Sequence, residues 1–343
     1  MLRRLFFIAL FILYIAARLA FSGPALAKPR VMDDTTAYLR ISGQPLLDVD
    51  FWGSSRPLVF PLLLKITQQD FFTAAALQLG LSILAWTLLA LSVAASFRTL
   101  GLSLFSFGLI FALSLVRSLA GWDFTMLTES LSVSWFVIFL AAGIWLLHEW
   151  RIERVIALII VGFFLAFTRD TNAYLLLMLA GLLSLAVVFR QAGPRVLILV
   201  AAFVGIFLLN NANADLGGRW VFPFLNVVGR RILPNAQAVE FFEVNCEMPV
   251  TADLLALEGE LANGQDRAFY NDPSLADFRT WMRERGKICY MLWLVKNPIQ
   301  SGGDAFVEFG PLIAFTEVDN YLARPYTPIL PKSVESILYP DRY

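Results

Sequence analysis

Long apolar stretches separated by short polar joints run through the first 210 residues of the chain. Leu5–Ser22 predicts a first helix, and further apolar segments follow at Phe71–Phe97, Leu104–Leu119, Leu127–Leu147, Val155–Thr168, Thr171–Phe189 and Val196–Leu209. Segments of this kind approach the ~20 residues with which a helix crosses the apolar layer of a bilayer, so the pattern predicts about seven crossings. Between the first and second lies a long polar loop, residues 23–70. Within it Val59–Ile66 is apolar but too short to span, and Pro57 and Pro61 punctuate it. It reads as an interfacial or re-entrant piece.

The start of the chain has a second reading. Met1-Leu2-Arg3-Arg4 precedes an apolar run, and Ala25-Leu26-Ala27 has the small-x-small form of a signal-peptide cleavage site. Arg18 and the residues after it separate that site from the apolar run, which makes a retained first helix the simpler expectation. Either way residue 28 onward falls on the outer side. The joints on the N-terminal side carry Arg3, Arg4, Arg98, Arg151, Arg154, Arg190 and Arg195, whereas the short joints opposite carry only Arg169. Basic residues concentrate on the cytoplasmic side, so the expected N-terminus is cytoplasmic, in a plasma (bacterial inner) membrane.

Residues 211–343 contain no further run long enough to span. Ala252–Leu261 and Leu275–Val295 read as amphipathic helices separated by turn signals at Asn263-Gly264, Asn271-Asp272-Pro273 and Ser301-Gly302-Gly303. The expectation is a mostly helical extracytoplasmic segment resting on the membrane, with a Pro-rich close from Arg324 to Tyr343.

Composition narrows the picture. The chain is 58% hydrophobic and 16% charged, with mean hydropathy +0.67, which fits an all-α polytopic membrane protein. A formal net charge of zero argues against a nucleic-acid partner, and no glycine-rich phosphate cradle is evident. One His (His148) and two Cys (Cys246, Cys289) give no zinc spacing. The cysteines lie on the oxidising side and form either a disulfide or two separate thiols. Thiol catalysis is disfavoured, because His148 falls across the membrane from both.

Four short patterns then stand out in order. They are Asp34-Thr35-Thr36-Ala37-Tyr38-Leu39, Arg56-Pro57 through Leu63, Thr128-Glu129-Ser130-Leu131, and Arg169-Asp170-Thr171-Asn172. Together they resemble the C-type integral-membrane glycosyltransferases, which include protein O-mannosyltransferases and the aminoarabinose transferase of lipid A. The resemblance covers about residues 1–210 and implies a C-type transmembrane domain with a long first outer loop. It also implies transfer of a sugar from a polyprenyl-phosphate donor at the outer face. Members of that class return to the membrane after such an outer segment. The expectation here is a shortened form, a membrane-protein partner that supplies the missing part, or a reduced, non-catalytic relative.

By the resemblance Asp34 stands at the general-base position, with Asp33 beside it as a second catalytic candidate. If the two carboxyls were buried together, each would disfavour ionisation of the other. Arg169 and Arg56 are the candidate phosphate-binding groups, with Tyr38 and Glu129 as further substrate-binding candidates. Asp123 and Glu129 are the candidate ligands for a divalent cation. Blander readings stand beside these. Asp33 and Asp34 suit a helix cap, Glu129 a helix dipole, Arg169 an ion pair with Asp170, and Arg117 snorkelling or a pair with Asp123. Asp48 and Asp50 read as surface acids and Trp52 as an interfacial anchor.

Overall fold

The structure, a computed structural model, describes residues 2–262, 267–303 and 306–307, in two compact units that divide after Gly217. The Pro-rich close at Arg324–Tyr343 and the turn signal at Asn263-Gly264 lie outside the described residues. Among the described residues there is no strand, only an isolated parallel bridge between Arg30 and Thr125.

The first unit opens with α1 (Leu2–Leu26), then the short helices α2 (Asp33–Ser42), α3 (Val49–Trp52) and α4 (Val59–Ile66). The long helices α5 (Phe71–Ala95) and α6 (Leu100–Ser114) follow, then α7 (Arg117–Ala120), which tightens into a 3-10 turn at Gly121–Phe124. Helices α8 (Glu129–His148), α9 (Ile152–Thr168), α10 (Asp170–Val188) and α11 (Leu197–Leu216) complete it. Five stretches are long and apolar enough to cross a membrane: Leu5–Leu26, Phe71–Ala95, Glu129–His148, Asp170–Val188 and Pro194–Leu216. This is a helical membrane protein.

The expected count of about seven crossings is not reached by unbroken helices. The segment expected at Leu104–Leu119 is α6 and α7, bent by 58° at the Leu115–Val116 break. The physical reason lies on α1. Arg18 donates to the Ser114 carbonyl at 2.7 Å, supplying a partner for a backbone acceptor that the break frees from the helical ladder. Helix α9 is only 17 residues, at the short limit for a span. Helix α11 runs the other way, past the expected end at Leu209 through a polar stretch. The Asn210 amide donates to Ala166 O at 3.1 Å and the Asn211 amide to Phe207 O at 3.0 Å, so polar groups that read as a loop are satisfied within the packing.

Helices α5 and α8 pack against each other, and both bury small side chains: Ala74, Ala75, Ser82, Ala85 and Ala90 on the former, Ser130, Ser134, Ala141 and Ala142 on the latter. Small residues let helices approach closely where lipid supplies no hydrophobic drive between them. Arg18 (0% exposed) crosses into this region and pairs with Asp123 (2% exposed), whose other oxygen accepts from Ser130 Oγ at 2.7 Å. Arg18 also donates to Ser82 Oγ at 2.7 Å, and the neighbouring Tyr14 ring stacks on Phe111. Of the two readings of Arg117, snorkelling or a pair with Asp123, the pair is not formed, since Arg18 takes that carboxylate. With Tyr14, Arg18 and Ser22 buried, α1 carries part of the core.

The second unit, from Gly218 on, is helical around a core that includes Phe224, Ile232, Phe242, Met248, Phe269, Phe278 and Trp281. Its helices include α12 (Val221–Val227), α13 (Ala236–Cys246), α14 (Ala252–Leu255), α15 (Ala268–Asn271), α16 (Ala276–Trp281) and α17 (Lys287–Lys296). Residues 298–303 are helical as well, where Ser301-Gly302-Gly303 reads as a turn in the sequence. The helix expected over Ala252–Leu261 is only the single turn α14. That expected over Leu275–Val295 is α16 and α17, joined through a wide π turn at Met282–Gly286. Cys246 and Cys289 are joined in a disulfide across 6.1 Å between their Cα atoms, closing the alternative left open by their spacing.

Candidate functional site

Backbone and side-chain ties hold the first of the quoted motifs beside the segment that leads into the third. The Arg30 N–H donates to Phe124 O and the Met126 N–H to Arg30 O, both at 2.8 Å. Thr35, fully buried, accepts from the Met32 N–H and donates to Met126 O, both at 2.9 Å. The beginning of α2 is therefore stitched to the segment that leads into α8. Its other end is held by α4 and the turn after it: Lys65 Nζ donates to Ser42 O at 3.0 Å, and Gln69 Nε2 to Leu39 O at 3.2 Å. Lys65 thereby satisfies a carbonyl of the last helical turn, and Gln69 adds to Leu39 O, which already accepts from the Gly43 N–H at 3.1 Å.

On that frame Arg56 Nη2 donates to Asp34 Oδ1 at 2.6 Å, and the same guanidinium lies 5.6 Å from the Tyr38 ring centroid. Tyr38 is buried, with its ring edge-on to Phe60 at 5.0 Å. Burial pushes the Tyr38 hydroxyl above its ordinary range. Arg56 and a hydrogen bond with Thr128 pull against that rise, and the Glu129 and Asp34 carboxylates add to it. One phenol thus feels groups from three of the four motifs.

The fourth motif arrives by a separate contact. Arg169 Nη1 donates to Glu129 Oε1 at 3.1 Å. The Asn172 amide donates to Ser132 Oγ at 2.9 Å and to Leu165 O at 3.0 Å, which fixes the start of α10 against the start of α8. Arg169 therefore meets Glu129 across the bundle, in place of the local pair with Asp170 considered from the sequence. The second oxygen of Glu129, Oε2, is shielded from solvent and has no hydrogen-bond partner among the described residues. A buried carboxylate oxygen without a donor is an acceptor that a bound hydroxyl would satisfy.

Asp33 and Asp34 are both exposed, so the shared burial considered for them is absent. Only Asp34 engages Arg56. The cation expectation fares differently. Asp123 gives its oxygens to Arg18 and Ser130, and Glu129 is tied to Arg169. Among the described residues no three His, Cys, Asp or Glu side chains form a group able to hold a metal. These donors do not fit a divalent cation.

Two participants escaped the sequence. Thr128 lies inside a quoted motif yet drew no attention; it is buried and is among the groups that act on the Tyr38 hydroxyl. Arg18 sits in an apolar run whose only visible signal was its charge. No family model, curated protein or solved structure matches this chain.

Proposed function

We propose that the chain is a membrane glycosyltransferase that moves a sugar from a polyprenyl-phosphate donor to an acceptor at the outer face of a bacterial plasma membrane. The observation that carries this reading is the convergence of Asp34, Tyr38, Arg56, Glu129 and Arg169 at one end of a helical membrane unit. In this reading the N-terminus is cytoplasmic, and the seven crossings count α9 and the bent α6–α7 pair as spans.

The chemistry assigns one step to each group. The acceptor O–H loses its proton to Asp34 Oδ2, while Arg56 holds Oδ1. The acceptor oxygen bonds to the anomeric carbon, and the bond from that carbon to the phosphate oxygen breaks with inversion. The departing phosphate takes the electron pair and is stabilised by Arg169, with Arg56 contributing charge from the other ion pair. Glu129 Oε2 accepts from a sugar or acceptor hydroxyl.

A second reading has its own support: both candidate carboxylates, Asp34 and Glu129, already sit in ion pairs with arginine. On that reading the site is structural, and the chain is a non-catalytic subunit that binds lipid or a membrane-protein partner. Purified chain in proteoliposomes, supplied with a polyprenyl-phosphate sugar and an acceptor, separates the two. The enzyme reading expects transfer that Asp34→Asn lowers by about 10²–10⁴, the typical contribution of a general base. Full activity in that variant removes the base assignment. Absence of transfer by the chain alone, with a second membrane protein co-purifying, favours the subunit reading.

A further inference from the structure

We propose that Leu46–Trp52 is a monolayer-inserting anchor that holds the loop beside Arg56 against the bilayer surface. Leu47 is 99% exposed and Val49 74%, with Leu46 and Trp52 also exposed. A cluster of large apolar side chains on and just before the short helix α3 needs a cover that water does not provide. The segment is shaped to present them. Trp52 Nε1 donates to Leu46 O at 2.7 Å, Asp48 Oδ1 accepts from the Asp50 N–H at 3.1 Å, and Phe51 turns inward and is buried.

Its seat identifies the cover. The Asn213 amide of α11 donates to Trp52 O, and Gly217 lies so near that a Cβ there would stand 2.0 Å from Ser54 O. The loop is therefore fastened to the C-terminal end of α11, within the stretch Pro194–Leu216 that is long and apolar enough to span. Leu208, Leu209 and Leu216 of α11 are exposed, and Leu216 lies 3.5 Å from where a Cβ on Gly53 would stand, so the Leu46–Trp52 cluster adjoins that apolar surface. The end of a span is the depth at which tryptophan prefers to sit and at which short apolar elements enter the headgroup boundary. The occupant is the lipid of that leaflet. Asp48 and Asp50 point to insertion driven by apolar contact and not by attraction to anionic headgroups. The anchor stands whether or not the chain transfers sugar.

The disulfide consumes both native cysteines, so Leu47→Cys introduces a single reactive thiol. The full chain carrying an environment-sensitive fluorophore at that thiol is placed in phosphatidylcholine nanodiscs, with a Glu258→Cys reference. The expected result is blue-shifted emission, stronger quenching by lipid doxyl-labelled at carbon 5 than at carbon 12, and iodide quenching several-fold weaker than at the reference. Val49→Cys is expected to behave alike. Iodide quenching equal to the reference, without doxyl quenching, overturns the anchor. Shielding from both quenchers also overturns it, because protein, such as a second copy of the chain, would then be the cover.

Discussion

Arg18 shows how far a single side chain can carry a membrane fold. Its guanidinium meets a carboxylate, a hydroxyl and a backbone carbonyl on three different elements, and its partner Asp123 lies 105 residues away. Two buried charges stay ionised cheaply only while each has the other, and removing one partner of such a pair typically costs about 3–5 kcal/mol. Arg18→Met is therefore expected to destabilise the first unit by that amount in detergent unfolding, because Asp123 is left buried and unpaired. Arg18→Met with Asp123→Asn is expected to recover part of the loss. A double variant as unstable as the sum of the two single ones would show that the ion pair contributes nothing of its own. Asp34, Arg56, Glu129 and Arg169 are legible in the sequence because they are charges beside apolar runs and fall within the four motifs that carry the resemblance. The sequence could not assign Arg18 a partner. A charge inside an apolar run signals that a partner exists, and nothing local says where.

Among the elements, hydropathy located the long helices well and misjudged their ends and breaks. The reason is the same at α6 and α11: hydropathy counts side chains, while helix limits depend on where backbone and amide hydrogen bonds are satisfied. Arg18 supplies a partner at Ser114, so an apolar stretch bends. Asn210 finds a carbonyl in α9, so a polar stretch remains helical. Close backbone approach is equally invisible to periodicity. In the π turn Val228–Ile232, Gly229 lies where a Cβ would stand 2.0 Å from Glu260 O, and its own carbonyl accepts from the Gly259 N–H at 2.8 Å. Gly259 has φ +81°, a left-handed conformation that favours glycine. Gly229→Ala forces backbone apart and is expected to cost the second unit about 1–3 kcal/mol or more. Gly205→Ala in α11, where a Cβ meets nothing within 4 Å, is the control expected to leave stability nearly unchanged. Equal melting of the two variants would contradict the close approach.

At the scale of the whole chain, the two units have separate cores and separate means of stabilisation. The first relies on small-residue helix packing and the buried Arg18–Asp123 pair. The second binds short helices with a disulfide that joins positions 43 residues apart. In the loop-entropy account a closure of that length contributes about 4 kcal/mol. Cys246→Ser with Cys289→Ser is therefore expected to lower the unfolding free energy of the second unit selectively, and the Arg18 variants to act on the first. The same bond bears on orientation, because disulfides persist in oxidising compartments. If the second unit faces outward, as the arginine distribution predicts, an impermeant reductant applied to intact cells exposes Cys246 and Cys289 to an impermeant maleimide, and without reductant neither is labelled. Labelling that requires permeabilised cells would place the second unit on the cytoplasmic side. The candidate site would then be moved from the outer face only if Asp34→Cys, tested in the same way, followed it.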